Sequence, residues 1–167
     1  MEETMMSGAE LNKRSHIVYD FIDCFTEYED MRKDYGGNEV FSMTEVHMLE
    51  YIDHNPGITA TELAAGYRRS KSLISKMVNM FEERGYLIRV PDESDAKKRR
   101  LFLSVKGKRL CEEHVHYDEL NRRSTLHALL DQCSQEDIDT FYRVMSIYTE
   151  HIKREWFRKG MDRDGEK

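Results

Sequence analysis

Apolar positions recur at helical spacing over most of this chain. Between residues 10 and 35 the stripe is Val18, Phe21, Ile22, Phe25, Tyr28 and Met31, and Gly36-Gly37 ends it. Residues 42–55 carry Met48, Leu49 and Ile52 on one side, then stop at Asn55-Pro56-Gly57. Two shorter helical patterns follow, at 59–66 and 70–84; the second has the stripe Leu73, Ile74, Met77, Val78 and Phe81. Residues 86–90 and 100–103 are short apolar runs of strand length, separated by a charged loop at 91–99. Helical periodicity returns at 105–131 and again at 134–158. The last stripe is Ile138, Phe141, Met145, Tyr148 and Ile152, with Val144 and Trp156 beside it.

Capping signals set the boundaries. Ser42 with Glu45, and Thr59 with Glu62, have capping-box spacing. Ser70, Ser104 and Ser134 are N-caps, the last with Asp137 three residues on. Gly85 stands where the chain must turn left-handed after Arg84. Helix, turn, helix, then a hairpin with a basic tip predicts a winged helix-turn-helix, in which the second helix enters the DNA major groove. The fold class expected is mainly α (α+β): a winged lobe flanked by long N- and C-terminal dimerisation helices. The boundaries are 1–8, a disordered start; 9–41, the first dimerisation helix; 42–104, the winged lobe; 105–158, the C-terminal dimerisation helices; and 159–167, a frayed tail.

Charge sharpens this picture. Residues 59–110 hold 13 Lys/Arg against 6 Asp/Glu, a net +7, so the rest carries −13 of the chain's −6 total. A basic module inside an acidic chain is the footprint of a nucleic-acid contact. Ser70, Lys71, Ser72, Ser75 and Lys76 are the exposed positions at the start of the second helix, suited to base edges and phosphates. Thr59 and Thr61 hold the backbone at the preceding helix start, and Lys97, Lys98 and Arg99 carry the wing contact. A helix–helix–hairpin unit can also serve protein recognition without DNA, which is the rival class.

The 167 residues, 35% charged and 39% apolar, suffice for one modest core. No apolar run reaches the ~20 residues of a membrane span, and no secretory signal opens the chain. Cys24, Cys111 and Cys133 form neither a disulfide framework nor a CxxC site, which fits a reducing cytoplasm. No Lys, Arg or His flanks Cys24, so it is expected to be a buried, inert thiol. No phosphate loop, GxSxG or HExxH is present, so an enzyme is not expected. His114 and Asp118 are four apart on one helical face, a usual half-site for a divalent metal.

The run DESDAKKRRLFLS at 92–104 resembles the wing signature of the MarR family of transcriptional regulators, with Asp92, Asp95, Leu101, Leu103 and Ser104 in register. FSMTEVHML and FEERGYLIR fall in place beside it, and the likeness spans roughly residues 11–157. Where the family carries wing arginines this chain has Lys97, preceded by Ala96; lysine neutralises a phosphate but lacks the planar fork.

The resemblance implies a triangular homodimer. The partnerless apolar stripes of the terminal helices predict the same assembly. Two reading helices about 34 Å apart then predict a pseudo-palindromic duplex operator, with repression the commoner role. In the zinc-sensing branch the ligand positions fall on Glu29, His47, His114 and Asp118. Asp118 stands where a histidine is usual, which shifts preference from zinc toward Mn²⁺ or Fe²⁺. No cofactor is certain. The other input the family implies is a small aromatic or amphipathic ligand, which Tyr19, Phe21, Phe25, Tyr28 and Tyr51 would line.

Overall fold

The computed structural model describes residues 6–36, 38–95 and 97–164, with side chains through 155. The chain forms two compact units, one ending at Tyr117 and one beginning at Asp118.

In the first unit, α1 (Gly8–Asp30) is capped by Ser7, whose hydroxyl accepts from the Glu10 amide at 3.2 Å. The chain turns extended at Met31, and β1 (Lys33–Asp34) pairs antiparallel with β2 (Val40–Phe41). The first helix is therefore shorter than its apolar stripe predicts. An extended segment puts Tyr35 into the core at 5% exposure, and Gly36 and Asn38 carry the turn at φ 110° and 59°. Then come α2 (Met43–His54), β3 (Ile58–Thr59), α3 (Ala60–Gly66), α4 (Lys71–Glu83), β4 (Leu87–Pro91) and β5 (Arg99–Leu103). The three-stranded sheet has the order β3-β5-β4, with Ile88 opposite Phe102 and Ile58 opposite Leu101. Strand β3 was not expected, because two residues carry no periodicity to read.

Both capping boxes form. Ser42 and Glu45 exchange bonds of 2.8 and 3.2 Å, and Thr59 and Glu62 bonds of 2.8 and 3.3 Å. Such caps satisfy the orphan amides of a first turn and are worth about 1 kcal/mol each. The core fills with Phe41, Met48, Leu49, Ile52, Leu63, Ile74, Val78, Phe81 and Leu101, all at 1% exposure or less. Burying each such side chain contributes roughly 1.5–3 kcal/mol. Phe41 stacks on Phe81 at 5.6 Å and meets the edge of Tyr86 at 5.1 Å, joining β2 to the end of α4. Leu73 departs from the expected stripe: it lies at its margin, 38% exposed.

Two glycines make the geometry possible. Gly85, at φ 76°, reverses the chain from α4 into β4. Gly107 lets the first turn of α5 (Val105–Leu130) press on the wing root, because a Cβ there would lie 2.2 Å from the Tyr86 carbonyl oxygen. Ser104 fixes the same corner: its hydroxyl donates to the Gly85 carbonyl at 2.7 Å and accepts from the Gly107 amide at 3.1 Å.

The second unit holds the rest of α5 and α6 (Gln135–Asp164). Ser134 and Asp137 cap α6 by reciprocal bonds of 3.0 and 3.2 Å. The helix passes residue 158, where a frayed tail was expected, and continues to Asp164; residues 165–167 and the side chain of Trp156 lie outside the described residues. The same holds for residues 1–5, most of the start expected to be disordered, and for Ala96. Phe141, Tyr142, Val144, Ile147, Tyr148 and Ile152 are 45–61% exposed along α6. Helix α1 buries no residue, and Ile17, Tyr19, Phe21, Ile22 and Phe25 are 45–62% exposed. Among the described residues, no helix is long and apolar enough to cross a membrane.

Candidate nucleic-acid interface and a histidine–glutamate cluster

Helix α4 is strongly two-faced. Ile74, Met77, Val78 and Phe81 are buried, whereas Lys71, Ser72, Ser75, Lys76 and Asn79 are exposed. Ser70 caps the helix by accepting from the Leu73 amide at 3.3 Å and is exposed, as is Thr61 on α3; Thr59 is half-buried by its capping role. The exposed set is hydroxyls, lysines and an amide, the side chains that donate to phosphates and read base edges.

The wing is built around Asp92. Its Oδ1 accepts from the Ser94 amide at 2.9 Å, the Ser94 hydroxyl at 2.6 Å and the Asp95 amide at 3.0 Å. Its Oδ2 accepts from Arg100 Nε, and Arg100 also donates to the Gly57 carbonyl at 3.0 Å. The Ser94 bond and then the Arg100 guanidinium hold the Asp92 carboxyl well below the usual carboxylate range. Arg100 is thus a strut between wing and turn. Lys97, Lys98 and Arg99 are exposed at the tip; Lys98 pairs with Asp95 at 3.7 Å. Asn79 and Arg89 escaped the sequence reading. Arg89 of β4 donates to Asn79 and pairs with Glu82 at 3.2 Å, joining the wing to the reading helix.

A second site lies between α2 and the first half of α5. One ligand atom each from His47, Glu50 and His114 lies within 4.8 Å of the others. Glu50 Oε1 accepts from His114 Nδ1 at 2.8 Å, and His114 is 1% exposed. The His47 and His114 rings meet edge-on at 4.9 Å, and Tyr35 packs against His114 at the same distance. Burial pushes the Glu50 carboxyl up, but the His114 hydrogen bond and the charges of His114, His47 and His54 outweigh it, and the net direction is down.

Of the four expected metal positions, the structure brings together His47 and His114. Glu29 is half-buried in the last turn of α1. Burial first, then the Glu29 and Glu50 charges against that of Arg69, leave the Tyr67 hydroxyl pushed up to about 12. Asp118 belongs to the second unit and pairs with Arg122 at 3.7 Å. Glu50 was missed, though its spacing from His47 (three residues along one helix) was available.

The thiols are unremarkable. Burial pushes Cys111 up to about 12, and Cys133 is exposed. Cys24 is exposed on α1, not buried as expected.

The sequence model of the MarR family matches residues 41–98, the segment from β2 to the wing tip. The chain thus resembles that family over this segment, 58 of its 167 residues. It is 27% identical over 120 residues, 70% of its own length and 76% of the other's, to the uncharacterized HTH-type transcriptional regulator YybA of Bacillus subtilis. Its fold is shared with FabT of Streptococcus pneumoniae, solved in complex with DNA: TM-score 0.63 and 18% identity over 88% of this chain and 98% of that one. It is shared too with ZitR of Lactococcus lactis, a zinc-responsive MarR member, at TM-score 0.62 and 17% identity over 84% and 97% of the two chains.

Proposed function

We propose that this chain is a MarR-type homodimeric repressor that binds a pseudo-palindromic duplex operator and responds to a divalent metal. The observation that carries the DNA reading is the polar, cationic outer face of α4 standing beside an exposed basic wing tip. Ser70, Lys71, Ser72, Ser75 and Lys76 meet the major groove and its phosphates. Thr59 and Thr61 hold the backbone, and Lys97, Lys98 and Arg99 follow the adjacent groove. Open apolar stripes on α1 and α6 support the homodimer, since burying them against a second copy removes two large exposed faces at once.

The metal reading rests on the donor set. Two imidazoles and a carboxylate suit zinc, and more weakly Mn²⁺ or Fe²⁺. Ligands about 2.1 Å from one ion sit roughly 3.4 Å apart, so a group already within 4.8 Å needs only side-chain adjustment. His47 and His114 would hold the ion. Glu50 would ligate directly or fix the His114 tautomer from behind. Glu29 is the candidate for a further ligand. A bound divalent ion would supply a fixed charge linking α2 to α5, and so bias the orientation of the winged lobe.

Selection of a duplex from random-sequence DNA by the purified protein, with and without added zinc, tests this reading. Enrichment of a two-fold symmetric site whose affinity changes with zinc supports it. Failure to enrich any duplex leaves a winged module for protein recognition instead.

A further inference from the structure

The recognition helix is held at its far end by one carboxylate. Glu39, just before β2, accepts at Oε2 from Nε of Arg84 at 2.9 Å and from Nη2 at 2.5 Å. Its Oε1 accepts from Lys106 Nζ at 2.6 Å. Arg84 is the C-cap of α4, and Lys106 stands in the first turn of α5. Lys106 also donates to the Arg84 carbonyl at 3.1 Å. The Arg84 guanidinium lies 4.3 Å over the Phe41 ring, and the Lys106 ammonium 4.1 Å over that of Tyr86. One side chain thus ties the loop before β2, the end of α4 and the start of α5 at a single point. Helix α4 has no basic residue in its last turn, so Arg84 and Lys106 supply the positive charge that its carbonyl end favours.

We infer that Glu39 is a positioning residue for DNA reading: it sets the angle at which α4 presents its N-terminal face. This rests on the proposal that α4 reads duplex DNA. Glu39 cannot touch the reading end itself, because Arg84 and Ser72 are about 18 Å apart along the helix at 1.5 Å per residue. That length makes a lever. A rotation of about 5° at the Glu39 anchor displaces the reading end by roughly 1.5 Å, beyond the ~0.5 Å within which a recognition site must be held.

The sign of the effect separates positioning from bulk electrostatics. Removing a carboxylate from the DNA-binding unit makes it more cationic, which alone tightens binding to any duplex. Misplacing the helix weakens binding to the selected sequence only.

The test compares wild type with E39Q, which keeps the shape and loses both ion pairs. Each protein is titrated with the duplex enriched by wild type and with an unrelated duplex of equal length. Far-ultraviolet circular dichroism checks the fold. The expected result is an affinity about tenfold lower for the enriched duplex, the cost of one mismatched base pair, with no loss on the unrelated one. Unchanged or tighter binding of the enriched duplex overturns the inference, as does an equal loss on both. Should E39Q fail to fold, R84K, which keeps the cap charge and loses the guanidinium fork, is judged by the same two criteria. If wild type enriches no duplex, the DNA reading fails before the role of Glu39 is reached.

Discussion

Glu50 and His114 meet across two helices: the imidazole Nδ1–H donates to Oε1 at 2.8 Å, with the histidine side chain 1% and the glutamate 22% exposed. A bond of this kind fixes which ring nitrogen faces a cation, and partners that hold a metal-binding histidine in this way change affinity 10–100-fold when removed. We therefore expect H114A to abolish stoichiometric zinc binding and E50Q to weaken it at least about tenfold. Titration against a competing chelator measures both. Wild-type zinc affinity too weak to compete with a micromolar chelator would remove the metal from the account.

At the DNA face the two kinds of contact should separate. Lys76→Ala is expected to weaken binding to every duplex and to lower the salt slope by about one. Ser72→Ala should leave the slope alone and alter sequence preference. Affinity measured at several salt concentrations on two duplexes distinguishes them. No change from either variant would show that the contact assignment is wrong.

The wing and the Glu39 junction make stability depend on acid in a definite direction. The Ser94 and Arg100 bonds hold the Asp92 carboxyl low. Glu39 is brought from 4.5 to about 2, first by the Lys106 hydrogen bond and then by that of Arg84. A carboxyl depressed in the folded state stabilises it above the unfolded value, and that contribution is lost as pH falls through the folded value. For Glu39 the window runs from about pH 4.5 down to about 2. The unfolding temperature of wild type should fall across that window, and E39Q should show a shallower decline. Identical pH profiles for the two proteins would contradict the assignment.

Gly107→Ala should destabilise the first unit by about 1–3 kcal/mol, because its Cβ would meet backbone rather than a movable side chain. Denaturant unfolding gives the value, and a change within error would mean that α5 shifts freely away from Tyr86.

Much of this arrangement was legible from local chemistry. Ser42–Glu45 and Thr59–Glu62 announced their helix starts, because a cap acts over three residues and leaves its mark in sequence. The α4 stripe was legible for the same reason, apart from Leu73 at its edge. What was hidden depends on distant partners. The early end of α1 at Asp30 is imposed by pairing between Lys33 and Phe41, which periodicity cannot register. Glu50 in the histidine cluster is 64 residues from His114, and Glu39 is 45 from Arg84 and 67 from Lys106. Arg100 reads as one more basic wing residue until the Asp92 carboxylate is seen to hold it.

The homodimer is open to direct attack through its proposed faces. Replacing Phe141 and Tyr148 together by Glu puts two charges on the exposed α6 stripe. The variant should sediment as a single copy and lose most operator affinity, because each half-site then binds alone. A double variant that still pairs would move the interface elsewhere.

The most direct measurement is analytical ultracentrifugation of the protein with its enriched duplex, repeated as salt is raised. Two copies per duplex are expected, with an association constant that falls steeply with salt. One copy per duplex, or an affinity indifferent to salt, would contradict the proposed function.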